Sequence, residues 1–165
     1  MPTLPPTTIP TVPSCRIPCG LHNVAEGKPT AQSSDKPRQD AGSEKAVDGD
    51  FNTNAKTGSC SWTDEEYQPW WKVDLGVSRN IYKVVVTNRA DCCSFRIKNA
   101  EIRVGDSEIF QDNPVCGMIT GSMAKENPIH IRCGCQTPMQ GRYVSVQLID
   151  VEQQLTLCEV EVMAL

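Results

Sequence analysis

The feature that most constrains the fold is a set of short runs in which apolar and polar residues alternate. These runs span residues 83–88, 100–106, 129–132, 142–149 and 158–165. Because successive side chains of a strand point to opposite faces, this alternation indicates strands with one buried face. No stretch of about ten residues has a helical period. The pattern therefore predicts an all-β antiparallel sandwich whose binding sites lie on loops at one end.

The cysteine content and the charge restrict the class of protein. The chain has nine cysteines, and they lack the paired C-x2-C spacing of a structural zinc site, so we interpret most of them as disulfides of a secreted protein. Their odd number leaves one thiol free or bonded to another chain. The net charge of -4, without a run of Lys or Arg, argues against a nucleic-acid partner. No apolar run is long enough to predict a transmembrane segment.

The N-terminal segment differs in composition from the rest of the chain. Residues 2–14 hold five of the twelve prolines and four threonines. This composition is typical of an extended stalk, and it also fits a disordered terminus without a role. We predict a Pro/Thr-rich linker or stalk over residues 1–20 and one globular domain over residues 21–165.

The histidines and tryptophans do not indicate an active site. The two histidines, His22 and His130, lie at the domain entrance and inside a predicted strand, so neither is a credible base for a nucleophile and we predict no enzymatic activity. Trp70 and Trp71 lead into a buried strand, and we expect both in the core.

An acidic turn is the candidate metal site. In "AVDGDFN", Asp48, Asp50 and Asn52 resemble the beginning of a calcium loop. It is not an EF-hand, because Thr53 and Ser59 stand where that motif needs glycine and a bidentate glutamate. From these residues alone the turn either binds calcium with oxygens from another segment or is a solvated acidic turn.

The stretch "NRADCCSFR" is the candidate ligand site, since two adjacent cysteines lie between Arg89 and Arg96. A bond between Cys92 and Cys93 would form a small, rigid, apolar sulfur surface, because their Cα atoms are only about 3.8 Å apart. The two arginines would add permanently charged, forked donors. This combination suits a sugar, which has a C-H face and hydroxyl groups. The alternative is that both cysteines pair with distant partners and the arginines form surface salt bridges.

Several motifs occur together in the order of a known family. They are "NVAEGKPTAQSS", "AVDGD", "GSCSW", "PWWKVDLG", "TNRADCCSFR", "GSM", "PMQGRYV" and "LCEVEV". On these motifs residues 23–165 resemble the F-type lectins, the eel fucolectin family of fucose-binding proteins. The Arg-x-Asp, adjacent-cysteine, Arg loop is the specific signature, whereas "VDLG" and "GRYV" also occur in the wider discoidin or coagulation-factor C domains.

The resemblance implies a discoidin-like jelly-roll β-sandwich and assigns roles in sugar binding. Arg89 and Arg96 would hydrogen-bond the sugar, Asp91 would orient an arginine, and the disulfide between Cys92 and Cys93 would lie against the sugar ring. We expect both arginines to be surface residues that contribute little to stability.

The resemblance also implies a bound Ca²⁺ and two further disulfides. The calcium ligands would be the side chains of Asp48, Asp50, Ser59 and Glu159 and the backbone carbonyls of Lys45 and Cys158. Cys60 would pair with Cys158, and Cys116 with Cys133 or Cys135.

The chain departs from the family pattern around the sugar pocket. Trp62 stands where the family has a histidine, and Ala55 and Lys56 stand where aromatic residues usually hold the fucose methyl group. Trp62 could stack on the sugar or on Arg89, and Asp64 could accept a hydroxyl proton in place of the imidazole.

Three cysteines have no partner in the family pattern: Cys15, Cys19 and one of Cys133 and Cys135. A bond from the N-terminal pair to the surplus cysteine would attach the stalk to the sandwich. The remaining thiol could join two chains.

Together these observations predict a secreted, calcium-stabilised lectin domain for fucosylated or related glycans. Because a single shallow sugar site is weak, we expect an oligomer or a tandem array. The alternative is a discoidin-like adhesion or scaffolding domain that binds a protein or lipid surface and has weakened or lost fucose binding.

Overall fold

The structure, a computed structural model, describes residues 14–134 and 136–165. These residues form twelve β-strands and five short 3-10 helices, joined by loops. The strands are β1 His22–Asn23, β2 Thr30–Gln32, β3 Ser61–Trp62, β4 Glu66–Tyr67, β5 Trp70–Thr87, β6 Ala100–Gly105, β7 Val115–Met118, β8 Ile129–Arg132, β9 Met139–Leu148, β10 Glu152–Gln153, β11 Thr156–Leu157 and β12 Glu159–Ala164. The 3-10 helices are Ser43–Val47, Ala55–Thr57, Ser94–Ile97, Phe110–Asp112 and Met123–Lys125.

Strand β5 is the longest strand and pairs with four others. Its first part, from Trp70 to Asp74, pairs with β2 and β9, residues 79–81 pair with β9 again, and the last part pairs with β12 and β8. The register with β9 shifts between Asp74 and Arg79, and Gly76 in this segment has a φ of 85°, which glycine adopts without a Cβ clash. The eight-stranded sheet has the order β1-β12-β5-β9-β6-β7, and β2 and β8 each pair with β5 beside this path. Two further sheets have two strands each, β4 with β10 and β3 with β11, and all pairs are antiparallel. The predicted antiparallel jelly-roll sandwich is confirmed.

The alternating runs form strands as predicted. Each of the five runs contains or lies within β5, β6, β8, β9 or β12, to within two residues at the ends. In β8 the alternation is complete, since Ile129 and Ile131 are buried and His130 and Arg132 are exposed. Alternation is a local signal of which face meets the core, and so these strands can be read from the sequence.

The two adjacent tryptophans lie on opposite faces of β5. Trp71 is fully buried with Val73 and Leu75 in the main core. Trp70 is only half-buried and packs on the outer face against Phe110, with ring centroids 5.3 Å apart. The expectation that both are core residues is therefore wrong for Trp70, because the period of two in a strand places consecutive side chains on opposite faces.

A second, smaller apolar cluster lies apart from the main core. It consists of Ala41, Ala55, Cys60, Trp62 and Cys158, all buried. The predicted Cys60–Cys158 disulfide is present at its centre. This cluster connects the loops before β3 to the beginning of β12.

The structure gives the bonding state of most of the remaining cysteines. Cys92 is bonded to Cys93, and Cys116 to Cys133, which decides between the two partners considered for Cys116. Cys15 is disulfide-bonded, and Cys19 is an exposed free thiol. The prediction for Cys135 and most of the predicted stalk, residues 1–13, lie outside the described residues. Among the residues that are described, no helix has the length and apolarity needed to cross a membrane.

Loss of the Cys60–Cys158 bond should destabilise the domain more than loss of the Cys92–Cys93 bond. The first bond joins residues 98 positions apart, whereas the second joins neighbours. Since closing a long loop restricts the unfolded chain more, Cys60→Ala/Cys158→Ala should lower the free energy of unfolding by about 2–5 kcal/mol. Cys92→Ala/Cys93→Ala is the matched control, with an expected loss below about 1 kcal/mol. Equal losses in urea denaturation would contradict this account.

Candidate functional site

The loop that follows β5 is fixed to the rest of the domain by two asparagines. Asn88 donates its backbone N–H to Asn127 Oδ1 over 3.1 Å, and Asn127 Nδ2 donates back to the Asn88 carbonyl over 3.1 Å. Asn88 Nδ2 also donates to the carbonyl of Ser94 over 2.9 Å, which closes the loop on itself. Cys93 has a left-handed φ of 63° and begins the 3-10 helix Ser94–Ile97. The loop is therefore held in one conformation by hydrogen bonds between asparagine side chains and backbone groups.

Arg89 is the central residue of this loop. Its Nε and Nη2 donate to Asp91 Oδ1 and Oδ2, each over 2.8 Å, and its guanidinium lies 4.4 Å from the centroid of the Trp62 ring. Only 3% of Arg89 is exposed. The expectation that Arg89 is a surface residue is therefore wrong, because the ring below it and the carboxylate beside it remove its side chain from water. The Arg89 guanidinium lowers the pKa of Asp91 to about 2.

Trp62 supports Arg89 from below. The tryptophan is 8% exposed and packs in the second apolar cluster with the Cys60–Cys158 disulfide. Of the two partners considered for its ring, the structure shows Arg89. A flat ring under a guanidinium is a favourable cation–π arrangement, and it fixes the plane in which Arg89 presents its donors.

Gln154 is a site residue that sequence reasoning missed. Its Oε1 accepts from Trp62 Nε1 over 2.9 Å and from Arg96 Nη1 over 3.0 Å. The ladders β3–β11 and β4–β10 bring Gln154 to this place, since Trp62 pairs with Thr156 and Glu66 with Gln153. Gln154 lies 92 positions from Trp62 in the sequence, in a stretch without a recognisable motif, so no local signal could have identified it.

The loop presents open donors beside an accessible disulfide. Among the described residues, none accepts a hydrogen bond from Arg89 Nη1 or from Nε and Nη2 of Arg96. Cys92 is exposed and Cys93 half-buried next to them. The site thus combines directed, charged donors with a small apolar surface, which suits a ligand that has hydroxyl groups and a C-H face.

The other sequence-predicted pocket residues do not face these donors. Asp64 Oδ1 accepts from the N–H of Glu65 over 2.9 Å and from Lys36 Nζ over 3.2 Å, and these bonds, the first above all, lower the pKa of Asp64. The described contacts of Asp64 include neither Arg89 nor Arg96. Ala55 is 2% exposed and donates its N–H to Asp91, while Lys56 is exposed. The wall that would hold a methyl group therefore offers only the lysine side chain.

One of the candidate calcium residues, Glu159, is a buried carboxylate. Glu159 is fully buried, its Oε1 accepts from the N–H of Gly49 over 3.2 Å, and its Oε2 has no hydrogen-bond partner. Burial raises the pKa of Glu159 to about 8, and the nearby Asp48 also raises it. A partnerless buried carboxylate oxygen next to a second carboxylate is an arrangement that a cation would compensate.

The remaining candidate calcium ligands come from the segment 45–59 and from Cys158, next to Glu159. Asp48 Oδ1 accepts from the N–H of Asp50, and Ser59 Oγ donates to the carbonyl of Asn52. Lys45 lies in the 3-10 helix Ser43–Val47, and Cys158 is bonded to Cys60 beside Glu159. Within residues 14–134 and 136–165, no group of three or more His, Cys, Asp or Glu side chains is placed to hold a metal by itself. The donor set fits a hard cation only if carbonyl and hydroxyl oxygens complete it.

A separate cavity of about 180 Å³ lies on the outer face of β2, β5 and β9. Its walls include Lys72, Asp74 and Tyr143. Asp74 is already paired with Arg142 through both carboxylate oxygens, over 2.7 and 2.8 Å, and Lys72 donates to the carbonyl of Glu108. Because the charged side chains of this cavity, Asp74 and Lys72, are already bonded to other protein groups, we place the functional site at the arginine loop.

The fold and the arginine loop define a discoidin-like jelly-roll domain with a ligand site at its loops. Residues 45–146 match the family profile described as "NedA-like, galactose-binding domain". Fucolectin of the eel Anguilla anguilla is 41% identical over 147 residues, which cover 85% of this chain and 89% of the eel protein. The chain therefore belongs to the F-type lectin, or fucolectin, family.

Other relatives are longer or are single domains. The pentraxin fusion protein of Xenopus laevis is 36% identical over 148 residues, or 88% of this chain, but the chain spans only 34% of that protein's length. A serum f-lectin from striped bass, Morone saxatilis, has 35% identity and a TM-score of 0.79 over 87% of this chain and 49% of its own. The lectin domain of lectinolysin, solved with Lewis B antigen, has 30% identity and a TM-score of 0.75 over 86% of this chain and 95% of that domain.

The two arginines should differ in their effect on stability. Arg89→Ala leaves the Asp91 carboxylate, whose side chain is only 16% exposed, without its cation and uncovers Trp62. Its free energy of unfolding should fall by about 3 kcal/mol, since removing one partner of a buried ion pair is costly. Arg96→Ala should cost less than about 1 kcal/mol, because Arg96 is half-buried and makes one side-chain hydrogen bond. Urea denaturation of both variants checks this, and equal losses would refute a structural role for Arg89.

Proposed function

We propose that the domain is a non-enzymatic lectin domain that binds terminal fucose or a related sugar. One observation carries the proposal: the open donors of Arg89 and Arg96 flank the accessible Cys92–Cys93 disulfide. A pyranose can accept hydrogen bonds from both arginines with its hydroxyl and ring oxygens while its C-H face packs on the sulfurs. The family relationship to fucolectins and the similarity to a lectin domain solved with Lewis B antigen support this choice of ligand.

The pocket predicts weak binding of the free monosaccharide. The indole N–H of Trp62 can only donate, and it is already bonded to Gln154, so it cannot accept a hydroxyl proton as a neutral imidazole can. Ala55 is buried and does not replace an aromatic wall. Polar recognition therefore rests on the arginines, and the fucose methyl group has little apolar surface to contact.

Titration with matched sugars tests this proposal. The wild-type domain should bind fucosylated glycans, with free L-fucose bound weakly and preferred over L-galactose by less than about tenfold, because only a methyl contact separates the two. Arg96→Ala should remove binding without unfolding, since a charge-assisted hydrogen bond is worth about 1.5–3 kcal/mol. Arg132→Ala, on the exposed face of β8, is the control. Undiminished binding by Arg96→Ala would overturn the site, and a glycan array without preference for fucosylated glycans would favour a discoidin-like domain for a protein or lipid surface.

We also propose that Ca²⁺ stabilises the domain, held by the oxygens of Asp48, Asp50, Ser59 and Glu159 and by the carbonyls of Lys45 and Cys158. The buried, partnerless Oε2 of Glu159 supports this proposal. Bound calcium would supply the positive charge that compensates the buried carboxylate. Glu159 lies at the beginning of β12, and Asp48 and Asp50 lie in the loop after the helix Ser43–Val47, so the ion would join two segments that are distant in sequence.

Removal of calcium should lower the melting temperature. An ion that binds only the folded state stabilises it by mass action, by about 2.7 kcal/mol at a concentration one hundred times its Kd. Asp48→Ala should melt at the same temperature with calcium and with chelator. Asp112→Ala, which changes an exposed aspartate in another loop, should keep the full sensitivity. Identical melting curves for metal-free and calcium-loaded wild type would show that this site does not bind calcium.

An extracellular setting fits the same proposal. The disulfides Cys60–Cys158 and Cys116–Cys133 are stable in an oxidising environment, and the chain's relatives are fucolectins. A single site with few apolar contacts needs multivalency to retain cells or glycoproteins, so the expectation of an oligomer or a tandem array stands as part of the proposal.

A further inference from the structure

The cavity on the outer face of the sheet shares no lining residue with the arginine loop. It has a volume of about 180 Å³, and its walls include Lys72 and Tyr143. Val144 and Val146 of β9 lie in the main core, so the alternation of the strand places Tyr143 on the opposite face. The cavity is therefore a recess outside the core and not a packing gap within it.

The loop between β6 and β7 forms one wall of the cavity through Glu108. The position of this loop is fixed, because Phe110 packs against Trp70 of β5. Asn113 closes the loop, since its Nδ2 donates to the carbonyl of Ser107 over 2.8 Å and its Oδ1 accepts from the Ser107 N–H over 3.0 Å. The wall is therefore preformed, and a ligand does not have to order it.

Two opposite charges at the cavity have no partner of opposite charge. Lys72 Nζ donates to the backbone carbonyl of Glu108 over 3.2 Å, and this bond leaves its other N–H donors free. In the described part of the chain, the Glu108 carboxylate makes no hydrogen bond and no ion pair. Asp74, in contrast, is bonded to Arg142 through both carboxylate oxygens. The cavity thus presents one ammonium and one carboxylate to a ligand.

Two hydroxyl groups of β9 on the same face are also without partners. Ser145 is only 1% exposed, and no described residue forms a hydrogen bond with its Oγ. It pairs with Lys72 across the ladder between β5 and β9. The Tyr143 hydroxyl likewise has no hydrogen bond within residues 14–134 and 136–165. Because buried polar groups usually have partners, this part of the face favours a polar ligand.

We propose that this cavity binds a small zwitterion of the amino-carboxylate class. The carboxylate of the ligand accepts from Lys72 and from the Tyr143 hydroxyl, and its ammonium donates to Glu108. The carboxylates of Glu108 and Asp74 repel a simple anion. The ammonium of Lys72 and the guanidinium of Arg142, which is bonded to Asp74, repel a simple cation. The volume is below the roughly 300–1,000 Å³ of pockets for drug-sized ligands, so the zwitterion is short.

Amide NMR titration tests the site with glycine, β-alanine and γ-aminobutyrate, which differ in the separation of their charges. At least one of them should shift the backbone signals of Lys72, Glu108 and Tyr143. Its Kd should be at least about fivefold lower than the Kd of butyrate and of butylamine, because each of these carries only one of the two charges. L-Fucose should leave the same signals unchanged. Since the two sites share no lining residue, failure of the sugar site would not affect this result.

Variants of the same residues complete the test. Glu108→Gln should raise the Kd of the zwitterion by about fivefold and Tyr143→Phe by about threefold, and neither change removes a hydrogen bond of the described structure. Glu65→Gln, which alters an exposed carboxylate in another loop, is the matched control and should keep the wild-type Kd. The proposal is overturned if none of the three zwitterions shifts the cavity signals, if butyrate or L-fucose binds there as tightly, or if Glu108→Gln keeps the wild-type Kd.

Discussion

The stacking of the Arg89 guanidinium on the Trp62 ring organises the ligand loop. Trp62 fixes the plane of the guanidinium, Asp91 fixes its rotation through two hydrogen bonds, and both constraints hold with Arg89 almost completely buried. A guanidinium held in this way can point Nη1 in only one direction. The long-range contacts to Trp62 and the bond from Ala55 to Asp91 therefore fix the direction of this donor as well as stabilising the loop.

A disulfide connects this arrangement to the sandwich. Trp62 packs on the Cys60–Cys158 bond, and Cys158 is followed directly by Glu159, the buried carboxylate at the candidate calcium loop. The residue that supports Arg89 and the candidate metal site thus share one small apolar cluster. A change that loosens this cluster should affect both, because closely packed side chains transmit strain to their neighbours.

The sequence predicted the parts of the structure that depend on local signals. Alternation identified five strands because burial on one face repeats every two residues, and the adjacent cysteines predicted a bond between sequence neighbours because only their order was needed. The same reasoning misplaced Trp70 and Arg89. Whether a side chain is covered depends on what packs on it, and the residues that cover Arg89 include Trp62, which comes from a distant strand. Gln154 could not be predicted for the same reason, because its hydrogen bond with Trp62 forms only when β3 and β11 pair.

Gln154 also shows how the site accommodates Trp62 at the position where the resemblance to the family pattern led us to expect a histidine. A buried indole N–H needs an acceptor, and Gln154 Oε1 provides it. That oxygen has a second lone pair, which receives Nη1 of Arg96. The amide therefore fixes Arg96 through the group that satisfies Trp62, so that the two arginines are positioned by one tryptophan, Arg89 by its face and Arg96 through its edge. A histidine at this position would present less surface to Arg89 and would have to divide its two nitrogens between Gln154 and a ligand. A tryptophan at position 62 therefore gives both arginines rigid support, and because its indole N–H is already bonded to Gln154, the polar contacts to a ligand are left to the arginines themselves.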